Sequence, residues 1–292
     1  MSNFLRAVID GVLTGSVYAL MAAGLTLIFG VMEVINVAQG ILVVLGAYLS
    51  YVLSVHFGID LFAGLIITIP VMFVLGVGIQ WGLMRRLGER EKVSMSILVT
   101  YAVAIILEGV LDLIFGPGYL QLTAWYVNQS IHVFGFYLPY IYVFGFILAV
   151  GLLGSLYFIL YRTEFGRSLR ASQQNKTAAR LIGIDVNKVS AITFGIGVAV
   201  TAAGGMVFGA TTAFNSNSSA DLISRLLTIV ILGGMGSIGG AMGASVLMLV
   251  IEAIVSTYWS PTWATLVFYM VLVLVLVVRP AGLFGQKAVR AQ

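Results

Sequence analysis

RTEFGRSLRASQQNKTAARLIGIDVNK (residues 162–188) is the longest polar stretch in a chain that is otherwise lipid-soluble nearly throughout. It holds six of the chain's 15 Lys and Arg residues: Arg162, Arg167, Arg170, Lys176, Arg180 and Lys188. Residues 113–161 before it and 189–220 after it contain no Asp, Glu, Lys or Arg. Basic segments between apolar spans stay on the cytosolic side of a membrane. A charged island between two such walls therefore reads as a cytosolic element, long enough to dock another protein.

Outward from the island the alternation repeats. Residues 11–32, 34–59, 61–84, 93–107, 226–251 and 253–278 are also free of charge. A spanning helix needs about 20 mostly apolar residues. The chain of 292 residues is 60% hydrophobic and 9% charged, whereas soluble domains carry about 25% charged residues. A β-barrel would instead show alternating segments of about 10 residues. The fold class is all-α, a polytopic transmembrane helical bundle forming one domain over residues 1–292. Helices are expected over 8–30, 41–56, 62–84, 95–115, 139–161, 189–212, 222–234, 243–257 and 263–279. That makes eight or nine spans, depending on how the short segments near 222–257 are counted.

Arg85 to Lys92, the island and the tail (Arg279, Lys287, Arg290) together hold 13 of the 15 basic residues. All three belong on the cytosolic side. Nine crossings then place the N-terminus outside and the C-terminus in the cytosol. The net charge of +4 follows from this rule and is no sign of nucleic-acid binding. With no Cys, disulfides, thiol catalysis and Cys-ligated metals are excluded. His56 and His132 lie far apart beside apolar runs and read as interfacial, so neither a metal nor a cofactor is expected. Tyr119, Trp125, Tyr126, Tyr137, Tyr140, Tyr258, Trp259 and Trp263 crowd the proposed outer turns, where aromatic rings anchor at headgroup level.

Two apolar segments are interrupted in a related way, a weak internal repeat. The first break, residues 30–40, offers Glu33, Asn36, Gln39 and Gly40. On a helix the spacing of three would put Glu33, Asn36 and Gln39 on one face. They read either as a polar turn or as the lining of an inner gate. The second break, residues 233–243, has six glycines in eleven residues, with Gly233, Gly234, Gly236 and Ser237 at its start. Glycine costs about 1 kcal/mol relative to Ala in a helix. Such a run means close helix packing, a backbone that lines a water-filled path, or both. Interrupted helices at matching positions point to a transport pathway.

Acids within spans are costly, about 2.5–3.5 kcal/mol on insertion scales. Glu108 and Asp112 share one helix face, Glu252 stands alone in residues 226–278, and Arg225 follows Asp221 by four. Each is a functional candidate or one half of an interhelical ion pair. In the island, Glu164 sits where a helix starts, Phe165 and Leu169 share a face, Gly183 can end a helix, and Asp185 can cap the next span. Short amphipathic helices, a solvated loop and an anionic-lipid patch all fit these features. No G-x-x-x-x-G-K-[ST] occurs, so ATP is not bound by that route, and no H-E-x-x-H or G-x-S-x-G supports an enzyme.

FGRSLRASQQNKTAARLIGIDVNKV resembles the coupling segment of permease subunits in branched-chain amino acid ABC importers. So do GSVYALMAAGLTLIFGVMEVINVAQG at 15–40, LGGMGSIGGAMGA at 232–244 and RPAGLFG at 279–285. The four regions run in the family's order along the whole chain. The resemblance implies a subunit without ATPase activity of its own. It implies two ATPase subunits, a second permease subunit (homologous or identical), and an external solute-binding protein, all at the bacterial cytoplasmic membrane. Glu164, Phe165, Gly166, Arg167, Arg170, Ala171 and Gly183 would then meet an ATPase groove. Branched-chain or other apolar amino acids are the implied cargo, with urea and short amides open. The family often reads INFAHGE where this chain has Ile35 to Ile41 without the His or Glu, and Gly239 stands where a Pro is common. The alternative is an ion-coupled secondary transporter working through Glu108 and Glu252, which would need both acids in one cavity.

Overall fold

The structure, a computed structural model, describes residues 2–87, 92–133 and 136–284. Residues 88–91 of the first basic loop, Gly285, and the tail residues Lys287 and Arg290 lie outside the described residues. In chain order the helices are α1 (Ser2–Met32), α2 (Gln39–Phe57), α3 (Leu61–Gly82), α4 (Lys92–Phe115), α5 (Tyr140–Arg162), α6 (Glu164–Gln174), α7 (Lys176–Leu181), α8 (Val186–Thr211), α9 (Ser218–Gly233), α10 (Ile238–Tyr258) and α11 (Pro261–Val278). Eight of them are long and apolar enough to cross a membrane. Between residues 222 and 257, α10 is one of these eight, whereas α9 has only 16 residues. One small antiparallel hairpin, β1 (Ser130–Val133) with β2 (Phe136–Pro139), precedes α5 and was not expected from the sequence.

The chain is layered by burial. In α1 and α8, 78% of the most apolar window is buried, against 11% in α4 and α11. The first pair is the centre of the bundle and the second its rim. Without a hydrophobic drive between helices in lipid, close packing through small residues holds such a bundle. Gly11 and Gly15 of α1 lie directly on the α10 backbone at Val250 and Val246, so the two helices run antiparallel in tight contact. Ser245 adds a hydrogen bond from its hydroxyl to the Gly15 carbonyl.

Side-chain caps fix several helix starts. Asp60 Oδ1 accepts from the Phe62 amide at 2.9 Å to open α3. Asp185 Oδ1 accepts from the Asn187 and Lys188 amides, each at 3.1 Å, to open α8. Such caps contribute about 1 kcal/mol each. Pro261 opens α11.

Two expectations are corrected. Tyr126 is no belt anchor: it is 3% exposed, its hydroxyl donates to Asp60 at 2.8 Å, and its ring packs on Phe62 and Phe144. Burial, then the bond to Asp60, pushes its pKa well up, so it remains a donor. Tyr119, Trp125, Tyr137, Tyr258, Trp259 and Trp263 do stay exposed. The second correction concerns α10, which starts at Ile238 and not near 243. Ser237 accepts from the Gly240 amide at 3.1 Å and caps it. The glycines at 239, 240 and 243 therefore belong to a helix, and the break shrinks to residues 234–237.

Candidate functional site

The first break is unwound from Glu33 to Ala38. Its polar residues do not share a helix face, because Glu33 adopts a left-handed φ of 55° and turns the chain. Glu33 points outward, while Asn36 and Gln39 are fully buried. Asn36 Nδ2 donates to Gln39 Oε1 at 2.7 Å, and Gln39 Nε2 donates to the Thr201 hydroxyl near the middle of α8. The Asn36 Oδ1 has no partner among the described residues. Gly40 lies on the Ser219 carbonyl, so α2 and α9 both begin inside the bundle.

Unwound backbone in the apolar interior must be satisfied by protein or by water. Here α4 does it. Ser96 accepts from the Ile35 amide at 3.3 Å, and Thr100 accepts from the Val37 amide at 3.0 Å. Sequence reasoning missed Ser96, Thr100 and Thr201. The signal for the first two was present: hydroxyls four apart on one face of the charge-free stretch 93–107 of α4.

In the second break Gly234 has φ 94° and Gly236 φ 87°. Gly236 faces Gly30 at the end of α1. The two breaks thus meet. The C-terminal turn closes the same end: the Leu283 amide donates to the Leu232 carbonyl at 2.7 Å, and Phe284 lies against Gly240. Gly233 packs on the α10 backbone at Ala241.

The basic island folds as α6 and α7 against this junction. Thr163 caps α6 by accepting from the Gly166 amide at 3.2 Å, and Gly166 sits tightly on the Leu160 carbonyl. Leu169 is buried and Phe165 partly so. Arg167 is exposed and pairs with Glu164 at 3.3 Å. Arg170 turns back: its guanidinium donates to the Leu160 carbonyl and lies 5.2 Å over the Tyr161 ring. Ala171 is half-buried, and Gly183 ends the pair at φ 87°. Lys176 reaches across to Glu33 at 3.0 Å, tying α7 directly to the first break. A cavity of about 1170 Å³ lies in this layer, lined among others by Gly30, Glu33, Arg170, Gln173, Gly236 and Ser237.

The intramembrane charges fall in two separate places. Glu108 accepts from the Ser219 hydroxyl at 2.8 Å, and Asp112 accepts from the Ser216 hydroxyl. Arg225 bonds Asp221 at 3.0 Å and Glu252 at 2.7 Å. Glu252 lines a second cavity to which Glu108 does not contribute.

Residues 7–276 match the family of branched-chain amino acid transport system permease components, and the chain belongs to that family. It is 29% identical over 300 residues to the high-affinity branched-chain amino acid transport system permease protein LivH of Escherichia coli K12, covering 98% of this chain and 97% of that protein. It is 28% identical over 303 residues to BraD of Pseudomonas aeruginosa, a permease protein of the same description, at 98% and 97% coverage. A probable branched-chain amino acid transport permease protein, LivM of Methanocaldococcus jannaschii, matches at 25% over 148 residues, 44% of this chain and 42% of that protein. No solved structure matches the chain significantly. The protein is a multi-pass membrane transport subunit and not an enzyme.

Proposed function

We propose that this chain is the permease subunit of an ATP-driven importer for branched-chain or other apolar amino acids. One of two ATPase subunits docks on α6 and α7, a second permease of the same family completes the path, and an external binding protein delivers the cargo. The chain sits in the bacterial cytoplasmic membrane with its N-terminus outside and its C-terminus in the cytosol, which takes α9 as a ninth crossing beside the eight longer helices. The observation that carries this reading is the seating of α6 and α7 under the junction of both breaks. A push on the island would reach the unwound segments through Lys176 and Glu33. Leu181 and Ile182, 84% and 75% exposed beside Arg180, leave apolar surface for an ATPase to cover. The separation of Glu108 from Glu252 gives no support to a shared ion-coupling site.

The coupling link is testable by charge exchange. Lys176→Glu sets two acids against each other and should cut uptake per ATP hydrolysed about fivefold, roughly what 1 kcal/mol provides. Adding Glu33→Lys should restore it. Normal uptake in the single variant, or no recovery in the double, would argue against α7 as the transmission element. Orientation has its own test. Cysteines placed at exposed Ser94 and Thr177 should label only from the cytosol, and one at Ser130 only from outside. Labelling of position 177 from the outer face would remove the docking role.

A further inference from the structure

At the end of α8 opposite the island, a cavity of about 370 Å³ lies between α1, α5, α8, α9, α10 and α11. Small-ligand pockets run from roughly 300 to 1,000 Å³. Its wall is mixed. Val17, Met21 and Leu249 give apolar surface, and Tyr18, Arg225 and Glu252 give polar surface. The Arg225 and Glu252 side chains are only 15% and 17% exposed, so what exposure they retain matters.

The hydrogen bonding leaves groups open. Arg225 Nε donates to Asp221, and Nη1 donates to both Glu252 oxygens at 2.7 and 2.9 Å. Arg225 Nη2 and the Tyr18 hydroxyl have no hydrogen-bond partner among the described residues. Glu252 accepts from a single nitrogen, so its oxygens retain further lone pairs. A pair that served packing alone would need neither a ligand-sized space beside it nor spare donors. Neither donor atom is sealed off by protein, so both can meet a ligand in the cavity.

We propose that this cavity is a transient subsite for a zwitterionic α-amino acid within the permease. The carboxylate would take Arg225 Nη2 and the Tyr18 hydroxyl. The ammonium would take Glu252, and an apolar side chain would lie against Val17, Met21 and Leu249. Asp221 holds the guanidinium in place from the far side, so Arg225 keeps an acid partner while Glu252 turns to the ligand. This rests on the importer reading and narrows it: the permease itself, and not only a delivery protein, recognises both charges of its cargo.

The chain has no native Cys, which makes a single cysteine a clean probe. Ser256 lines the cavity, and Ser256→Cys in the purified complete transporter should react with a small water-soluble thiol reagent. L-leucine should slow that reaction. At equal concentration, 4-methylpentanoate (no ammonium) and 3-methylbutylamine (no carboxylate) should not. Adding Glu252→Gln should raise the L-leucine concentration for half-protection about tenfold or more, as expected for a lost charge-assisted hydrogen bond. Asp221 still partners Arg225 in that variant. Two results overturn the proposal: no protection by L-leucine, or equal protection by all three compounds. If ATP-driven L-leucine uptake continues in the same preparation, the subsite alone fails. If uptake is absent too, the importer reading fails with it.

Discussion

Gly236→Leu should abolish uptake while the subunit still inserts at normal levels. Gly236 holds φ 87°, a region that costs a side-chain-bearing residue roughly 1–2 kcal/mol. It also faces Gly30 across the junction of the two breaks and lines the 1170 Å³ cavity. Leucine adds both strain and bulk there. Gly236→Ala carries the same backbone strain with little bulk, so it should retain partial uptake. Measuring uptake against membrane-inserted protein for both variants separates the two effects. Full activity in Gly236→Leu would mean that the junction neither moves nor conducts. Accessibility then distinguishes packing from lining. Ser237→Cys should react with water-soluble thiol reagents at a rate that changes when ATP is bound. A cysteine inert in every state would leave helix packing as the role of the second break.

The spans were readable because lipid demands charge-poor windows, although 226–251 is divided between α9 and α10 and 113–161 holds a hairpin before α5. Asp185 and Gly183 were readable for a similar reason, since capping is a local matter of side chain and φ. What stayed hidden were partners distant in sequence. Glu33 looked like one third of a polar helix face, but its left-handed backbone sends it to Lys176, 143 residues away. Gln39 stands out as polar within the first break, but nothing local points to Thr201, its partner 162 residues away. Arg170 read as one more basic docking residue, yet it bonds the end of α5, which no pattern within the island announces. The glycine run reads as a long break because composition alone does not say which glycines bend the chain. Only Gly234 and Gly236 do so, while Gly240 and Gly243 serve α10 by admitting Phe284.

Transport should require ATP and no ion gradient. In vesicles containing this chain with its partner permease, ATPase subunits and binding protein, L-leucine uptake should start on ATP addition and survive full collapse of the proton gradient. The surroundings of the acids carry the argument. Glu108 and Asp112 meet the Ser219 and Ser216 hydroxyls, and Glu252 is held by Arg225. An ion carrier needs an acid that is alternately loaded and released along one path, and these groups occupy two separate surroundings. Glu108→Gln preserves a hydrogen-bond acceptor for Ser219, so it should keep most of the ATP-driven uptake. Glu252→Gln should cost more, because a buried ion pair broken on one side loses about 3–5 kcal/mol, though Asp221 offsets part of that here. Under the secondary-transporter alternative both substitutions would abolish uptake equally. Gradient-driven accumulation by this chain alone, without ATP, would decide for that alternative.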